Sequence, residues 1–393
     1  MKRLLLLFGF IALSGVLLMA GGSRESPVPA GLEYEIVDGR SVTITYYSGN
    51  ATTVDIPARI QGLPVTVIEN RTFFENRNLT SVTIPSSVTT IGIAVFQGCT
   101  SLTSIIIPSS VTSIGWGAFH YCTSLTSITI PSSVTSIDDW AFRMCNSLTS
   151  ITIPSSVTSI GGAFGNCSNL TSIIVDGRNP AYTSIDGVLF DKNIQTIVGY
   201  PAGKTARSYI IPSSVASIGF FAFDGCSSLT SITIPASVTS IDGRAFDGCS
   251  NLANINIPSS VSSIGDATFL GCSSLTSINI PSSVTSIGSS AFEDCYSLTS
   301  VTIPSSITSI GYYTFSNCNS LTSINIPSSV TLIDYHAFNN CGSLTSITIP
   351  TSVTSIGDYA FLGCDSLTSV TISRRTQVGE GALPETAQII YSD

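Results

Sequence analysis

A repeat of 23 residues runs through most of this chain and limits the folds that are open to it. A Phe stands three residues before each of the eleven cysteines, and counting back 23 residues from Cys99 reaches Asn76, with Phe73 three residues earlier. A unit this short cannot bury a core alone, whereas stacked copies bury their apolar faces against each other. The cysteines are 23 residues apart, except for one interval of 22 and one of 59: Cys99, Cys122, Cys145, Cys167, Cys226, Cys249, Cys272, Cys295, Cys318, Cys341 and Cys364.

The most regular copy of the unit, residues 125–145, shows how each coil is expected to fold. Its segment Ser127–Ile130 alternates polar and apolar residues, which predicts a short strand with one buried face. Pro131 ends this strand because it has no N–H to donate to a ladder. Val134–Ile137 alternates again and favours a second short strand, and we expect one turn of helix at Ala141–Phe142.

The predicted fold is therefore a mostly β, helix-poor repeat solenoid of the right-handed leucine-rich type. It has about 12 coils, and a parallel sheet runs along one side. At the usual spacing of strands, such a rod is on the order of 60 Å long. The predicted divisions of the chain are a signal peptide, a cap with a β-hairpin, repeats, an irregular interruption, further repeats and a second cap: residues 1–22, 23–55, 56–175, 176–211, 212–372 and 373–393.

The interruption, residues 176–211, replaces the regular pattern with a degenerate coil and an outward excursion. Asn179-Pro180 indicates a turn, and residues 187–198 indicate a hairpin whose tip is Asp-Lys-Asn. Such a segment is compatible with a hinge, a kink or a binding loop.

The unit Leu-x-x-Ile-x-Ile-Pro-x-x-Val-x-x-Ile-Gly-x-x-Ala-Phe-x-x-Cys resembles the BspA-like class of leucine-rich repeat. The resemblance covers about residues 31–391 and includes the Asn-Pro-x-Tyr and Asp186-Gly187-Val-Leu-Phe190 motifs of the interruption. It implies a surface protein of bacteria or some protists. Some members of the class are adhesins for host matrix proteins or for other microbes.

The N-terminus predicts export. Lys2 and Arg3 precede the apolar run Leu4–Leu18, which is too short for a membrane anchor, and small residues follow it. This is the pattern of a cleaved secretory signal peptide. Gly22 stands where a lipoprotein would carry its lipidated Cys. We therefore expect a mature chain without a lipid or a membrane insertion, located at the cell surface, in the medium or in the periplasm.

Charge and ionisable residues exclude several functions. Only 10% of the residues are charged and the net charge is −9, so the basic stripe that nucleic-acid binding needs is missing. The two histidines, His120 and His336, are about nine repeats apart and cannot share a site. We expect neither catalysis nor a cofactor or metal. Eleven cysteines at one apolar position of the repeat favour a file of buried thiols over disulfides.

Two surfaces remain as candidate binding sites. One is the outward face of the predicted sheet, where ordinary β-propensity and solubility compete with recognition of an extended polymer or of ice; it carries Thr129, Thr152, Thr233, Asn256, Asn279, Thr302, Asn325 and Thr348. The other is a strip of aromatic residues in the turn before each Phe, where shielding of the core competes with partner binding; its candidate contacts are Trp116, Trp140, Tyr312, Tyr313, Tyr335 and Tyr359.

The function that these observations favour is an exported, non-enzymatic protein that binds an extracellular protein or glycan, such as a bacterial surface adhesin. A structural scaffold of the cell envelope without a single ligand is the alternative. Binding to ice or to another crystal surface is a more distant one.

Overall fold

The computed structural model describes residues 25–392, which form about 15 stacked coils. The predicted solenoid is confirmed, but the predicted number of about 12 coils is too low. The additional coils have Tyr47, Tyr200 and Leu383 in place of the repeated Phe, so the Phe pattern did not reveal them. The predicted signal peptide, with Gly22, lies outside the described residues.

The Ser-Ile-Thr segments of the coils form short parallel strands that stack in several runs along one side of the rod, which we call the front sheet; the coil of Asn325 contributes only an isolated bridge. Its strands pair without a shift in register, so that Ser127 lies opposite Ser104 and Ile128 opposite Ile105. The front sheet contains β3 (Thr53–Asp55), β6 (Ser81–Thr83), β8 (Ser104–Ile106), β10 (Ser127–Thr129), β12 (Ser150–Ile153), β14 (Ser172–Val175), β18 (Ser208–Ile210), β20 (Ser231–Thr233), β22 (Asn254–Ile255), β24 (Ser277–Asn279), β26 (Ser300–Thr302), β29 (Ser346–Thr348), β31 (Ser369–Ile372) and β33 (Gln388–Tyr391).

The second alternating segment of each coil also forms a strand, and these strands make a second parallel ladder, the back sheet. Here too the pairing follows the repeat, with Ser136 opposite Ser113. The back sheet contains β5 (Leu63–Ile68), β7 (Thr90–Ile91), β9 (Ser113–Ile114), β11 (Ser136–Ile137), β13 (Ser159–Ile160), β17 (Thr196–Gly199), β19 (Ser217–Ile218), β21 (Ser240–Ile241), β23 (Ser263–Ile264), β25 (Ser286–Ile287), β27 (Ser309–Ile310), β28 (Leu332–Ile333), β30 (Ser355–Ile356) and β32 (Gln377–Val378).

Hairpins occur at the start of the described chain and in the interruption. β1 (Leu32–Val37) pairs antiparallel with β2 (Ser41–Tyr47), as the sequence predicts, and β2 then pairs in parallel with β5. The short strand β4 (Arg59–Ile60) pairs antiparallel with β5. In the interruption, β15 (Tyr182–Ile185), β16 (Val188–Asp191) and β17 form an antiparallel meander, which confirms the predicted hairpin.

The interruption breaks the strand pairing of both sheets. β17 pairs in parallel with β19 and so begins the second part of the back sheet, but among the described strands it has no pairing with β13. The front sheet likewise has no pairing there between β14 and β18. The Asn179 side chain holds the preceding turn, because it donates to the carbonyls of Pro154 and Val157 and accepts from Ala181 and Tyr182. The buried core correspondingly forms two clusters, which meet at Val188 and Leu189.

The core is organised as files of identical residues. The repeated Phe rings stack nearly parallel from coil to coil, with the centroids of Phe119 and Phe142 5.5 Å apart. Beside them, all eleven cysteines are buried free thiols. Each thiol donates to the carbonyl of the aromatic residue one coil earlier, as Cys145 does to Phe119 at 3.2 Å. Burial raises the pKa of Cys99 to about 12. The predicted thiol file is confirmed.

The turn that holds Ala141 and Phe142 is a series of tight turns, so the predicted helical turn is wrong. No helix occurs between residues 25 and 392, and hence none there could cross a membrane. The reason is the residue two positions before the repeated Phe, which has a positive φ in every coil except that of Phe164, as Trp140 does at 62°. A left-handed residue at that point cannot continue a right-handed helix.

Candidate binding surfaces

The eight predicted residues of the front sheet all point outward and are exposed. They form one file along the rod, because strand pairing and isolated bridges set Asn279 opposite both Asn256 and Thr302. None of the eight side chains hydrogen-bonds to another described residue, so the file is free to meet solvent or a partner. The same file also contains two isoleucines, Ile106 opposite Thr129 and Ile210 opposite Thr233, which are 83% and 73% exposed.

Other hydroxyl side chains of the coils have a structural role. Thr126 donates to the carbonyl of Thr103, Thr135 to that of Thr112, and Ser133 to that of Val111, one coil earlier in each case. Equivalent bonds recur along the rod. These hydroxyls satisfy backbone carbonyls between coils, which leaves the outward file of the front sheet as the set without such a bond.

The aromatic strip in the turns divides into two separate groups. The tryptophan cluster comprises Trp116, His120, Trp140, Phe220 and Phe221, and it lies at the interruption. The tyrosine cluster comprises Tyr312, Tyr313, Tyr335, His336 and Tyr359, and it spans three successive coils. In the coils between the two clusters, the turn position two residues before Phe holds Arg244, Ala267 and Ser290.

The tryptophan cluster closes the turn side of the interruption. Trp140 packs on Trp116 with ring centroids 4.7 Å apart, and it meets the edge of Phe221 at 6.0 Å. Gly162 allows this contact, because a Cβ there would lie 2.7 Å from Phe221 Cδ2. The turn that contains Gly162 is one residue shorter than the turns of the other coils, which explains the single interval of 22 between cysteines.

A buried ion pair underlies the tryptophan cluster, and the sequence analysis missed it. Arg143 Nε donates to Asp224 Oδ2 at 2.6 Å across 81 residues of chain, and the Arg143 guanidinium also lies 5.3 Å from the centre of the Phe221 ring. Asp247 is 3.8 Å from the same guanidinium. Burial raises the pKa of Asp224 to about 6, although Arg143 opposes this shift. The one feature of the sequence that could have pointed to this ion pair is the rarity of charged residues in the repeats.

His120 lies in this cluster with both of its ring nitrogens buried and without a hydrogen-bond partner among the described residues. Burial lowers its pKa to about 4, and the charge of Arg143 lowers it further. A neutral imidazole in such a place acts as a packed aromatic ring. It is 5.6 Å from Trp140, between ring centroids.

The tyrosine cluster consists of two files of stacked rings. In the outer file Tyr312 stacks on Tyr335 with centroids 5.4 Å apart. In the inner file Tyr313, His336 and Tyr359 stack at 4.8 and 5.3 Å. Rings of neighbouring files meet edge to face, as Tyr335 and His336 do at 3.9 Å. Tyr312 is 43% exposed and the other four side chains are half-buried.

The backbone presents the inner file outward through left-handed residues, since φ is 53° at Tyr313, 53° at His336 and 57° at Tyr359. A bulky residue in this region costs roughly 1–2 kcal/mol. The cost recurs in most coils, and the repeat tolerates Ser290 at the same position with φ of 55°. Burial lowers the pKa of His336, so this ring is neutral near pH 7.

The repeat geometry matches a known family. A family model described as the BspA type leucine-rich repeat region matches in six copies, over residues 66–196, 202–318 and 285–391. The chain belongs to the BspA-type leucine-rich repeat family. It is thus a leucine-rich repeat protein of a bacterial surface-protein type. Among curated proteins none matches.

Solved structures of bacterial proteins share the fold of this BspA-type chain. A leucine-rich repeat protein from Eubacterium ventriosum is 29% identical, with a TM-score of 0.63, over 87% of this chain and 95% of that one. The pneumococcal vaccine antigen PcpA is 21% identical, with a TM-score of 0.59, over 93% and 98% of the two chains. A leucine-rich cell surface protein from Faecalibacterium prausnitzii is 28% identical, with a TM-score of 0.49, over 90% and 96%.

Proposed function

We propose that this chain is an exported, non-enzymatic adhesin that binds an extracellular protein through its tyrosine cluster. The observation that carries the proposal is the arrangement of Tyr312, Tyr313, Tyr335 and Tyr359 around His336, as two files of partly exposed rings on a rigid rod. Aromatic side chains of this kind are favoured at the energetic centres of protein interfaces. Export is supported by the predicted signal peptide and by the surface proteins that the resemblance implies.

The tyrosine cluster fits this role better than the rest of the surface does. Its rings are already held by one another, so a partner that docks on them orders few side chains and the entropic cost of binding is low. Each phenol offers an apolar ring together with a hydroxyl, which suits an interface that is half apolar and half wet. The front-sheet file has small side chains that offer less area to a protein.

The test is a binding screen with the full mature chain. Immobilised collagen, fibronectin and laminin are probed by biolayer interferometry with the wild type and with the triple variant Tyr313→Ser, Tyr335→Ser, Tyr359→Ser. Since interface anchors of this kind are worth about 2 kcal/mol or more each, we expect the triple variant to lose at least about tenfold in affinity. Ser290 shows that the turn accepts serine with the same backbone.

A matched control tests whether binding depends on the tyrosine cluster or on any exposed apolar side chain in the turns. Ile93 is exposed and occupies the same turn position as Tyr312 in another coil. Ile93→Ser should leave affinity unchanged. Both variants should melt near the wild-type temperature. The proposal fails if no wild-type binding to the panel occurs, or if the triple variant binds as tightly as the wild type.

Display of the rod is tested separately, by protease treatment of intact cells. Loss of the protein from intact cells supports export to the surface, and full protection contradicts it. The alternative role as an envelope scaffold is favoured by one observation, the hydroxyl bonds that tie each coil to the last, such as Thr126 to Thr103. A scaffold of this kind would be displayed and would still give no binding in the screen.

A further inference from the structure

The interruption leaves an open space beside the solenoid core. The front sheet has no pairing between β14 and β18, and a cavity of about 430 Å³ lies at this gap. Its walls come from the end of one coil, the turn between β15 and β16, and the segment that leads into β18. The walls include Thr171, Asp186, Val188, Tyr200, Lys204 and Tyr209.

Two tyrosines of this wall replace residues that are apolar in other coils. Tyr200 stands 23 residues before Phe223 and stacks on it in the Phe file. Tyr209 pairs with Ile232, so it occupies the inward position of the front sheet. The two rings meet at 4.8 Å. A phenol in a closed core needs a hydrogen-bond partner, and neither of these hydroxyls bonds to another residue in the described part of the chain. Their hydroxyls are therefore available to a molecule in the cavity.

Two opposite charges stand at the same cavity without neutralising each other. Asp186 is held in the turn between β15 and β16 by a left-handed backbone, with φ of 50°, and Gly187 follows it at 76°. Lys204 comes from the turn after Pro201. Neither charged side chain has an ion pair or a hydrogen bond to any residue between 25 and 392. Thr171 adds a hydroxyl to this polar side, opposite Val188 and the tyrosine rings.

We propose that this cavity binds one neutral sugar residue, at the end of a glycan chain. The volume lies within the range of natural small-ligand pockets. A pyranose ring has an apolar C–H face for Tyr200 and Tyr209, and it has hydroxyls that donate to Asp186 and accept from Lys204. A purely apolar ligand would leave both charges desolvated without partners. An anion would face Asp186 and a cation would face Lys204, so a neutral polyol suits the pair better than a ligand of either single charge.

The site does not rest on the proposed binding of a protein to the tyrosine cluster, which lies several coils away. The probes are methyl glycosides of glucose, galactose, mannose and N-acetylglucosamine, offered to the full mature chain in saturation-transfer difference NMR. We expect at least one of them to bind with millimolar affinity, about −4 kcal/mol. Glucosamine and N-acetylneuraminic acid serve as the cationic and anionic probes, and both should bind more weakly than the neutral glycoside.

Two variants place the bound sugar in the cavity. Tyr209→Ile restores the residue that β20 has at this position and removes a wall of the cavity, and Asp186→Asn removes one acceptor charge without loss of volume. Each should weaken glycoside binding by about tenfold, the scale of one lost hydrogen bond to a charged group. The triple serine variant of the tyrosine cluster is the control and should keep full glycoside affinity.

The expected result is saturation transfer from the wild type that both cavity variants reduce and the tyrosine-cluster variant preserves. The proposal is overturned if no neutral glycoside of the panel binds, if a charged probe binds more tightly than every neutral one, or if Asp186→Asn and Tyr209→Ile both leave affinity unchanged. Melting curves confirm that the variants are folded. Asp186→Asn keeps the test valid if Tyr209→Ile unfolds the chain.

Discussion

The tryptophan cluster and the tyrosine cluster occupy the same turn of the repeat, but their surroundings differ. Trp140 packs against Phe221, from a coil far along the chain, and Arg143 covers both rings while it pairs with the buried Asp224. In the tyrosine cluster, the ring–ring contacts among the described residues are with rings of the same and adjacent coils. None of the cation–π contacts between described residues involves it.

The difference separates aromatic residues that stabilise the rod from aromatic residues that the rod does not need for its own packing. The interruption removes a regular coil from the turn side of the rod. Trp140 and Arg143 close the junction that results by their contacts with Phe221 and Asp224, and we call this junction the seam. The tyrosine cluster lies among regular coils, whose neighbours at the same position include Ala267 and Ser290, so the coils there do not need large rings for stacking. Aromatics without such a structural need are the better candidates for contact with a partner.

The largest expected effect is a loss of stability when the ion pair at the seam is broken. Arg143→Met leaves the carboxylate of Asp224 buried without its partner, and breaking a buried pair in this way costs about 3–5 kcal/mol. We expect this loss in urea unfolding, with the two core clusters separating into two transitions. The control is Arg178→Met, which removes the exposed pair with Asp176 and should leave the unfolding curve unchanged. A seam variant as stable as the wild type contradicts the seam role of Arg143.

A smaller effect is the difference in stability that results when one ring is removed from each of the two clusters. Trp140→Ser removes a half-buried ring from the seam and should lower the free energy of unfolding by about 2 kcal/mol, less than a fully buried Trp would cost. Tyr335→Ser should cost about 1 kcal/mol or less, because its neighbours are other surface rings. Thermal melting of both variants measures the difference. Equal losses would remove the distinction between the clusters.

The third effect depends on pH and concerns His120. Its pKa lies near 4 in the folded chain and near 6.5 ordinarily, so the unfolded chain binds a proton that the folded chain does not. Stability should therefore be fully present above pH 6.5 and should fall as the pH drops towards 4. Melting temperatures between pH 7 and 4.5 should decline less steeply for His120→Gln. His336→Gln should act in the same direction but more weakly, and identical slopes for wild type and His120→Gln would refute the effect.

The smallest expected effect is a gain in partner affinity from a substitution that extends the tyrosine cluster. Ser290 already has the left-handed backbone of Tyr313 and adjoins it one coil earlier. Ser290→Tyr should add a ring to the inner file and improve affinity for the protein partner by a few-fold, since an aromatic pair contributes about 0.5–1.5 kcal/mol. Interferometry against the same partner measures it. A weaker or unchanged affinity would show that the interface does not reach this coil.

The stacking of the coils was predictable because a residue spacing of 23 places equivalent side chains at the same point of each coil. Phe142 and Cys145 follow from this rule alone. The same counting, taken back from Phe223 and Ile232, reaches Tyr200 and Tyr209, so the additional coil at the interruption was within reach of the sequence. Local periodicity, in contrast, could not show that the turn at Trp140 is left-handed rather than helical.

The seam was beyond any local rule. Arg143 and Asp224 are separated by 81 residues of chain, and their contact depends on a one-residue shortening at Gly162 and on the irregular segment that lies between the two residues. The positions of the two candidate binding surfaces were predictable. The alternation of polar and apolar residues places Thr129 on the outward face, and the residue type at the turn position of Tyr335 differs from repeat to repeat. The division of the aromatic residues into a tryptophan cluster at the seam and a separate tyrosine cluster follows from contacts between coils that are not adjacent in sequence.

The most direct test compares the affinity of the protein partner for two variants, each of which replaces aromatic residues of one cluster by serine. The tyrosine triple variant should lose at least about tenfold in affinity and keep its melting temperature. Trp140→Ser should keep its affinity and lose stability. The account is contradicted if Trp140→Ser loses the partner while the triple variant retains it.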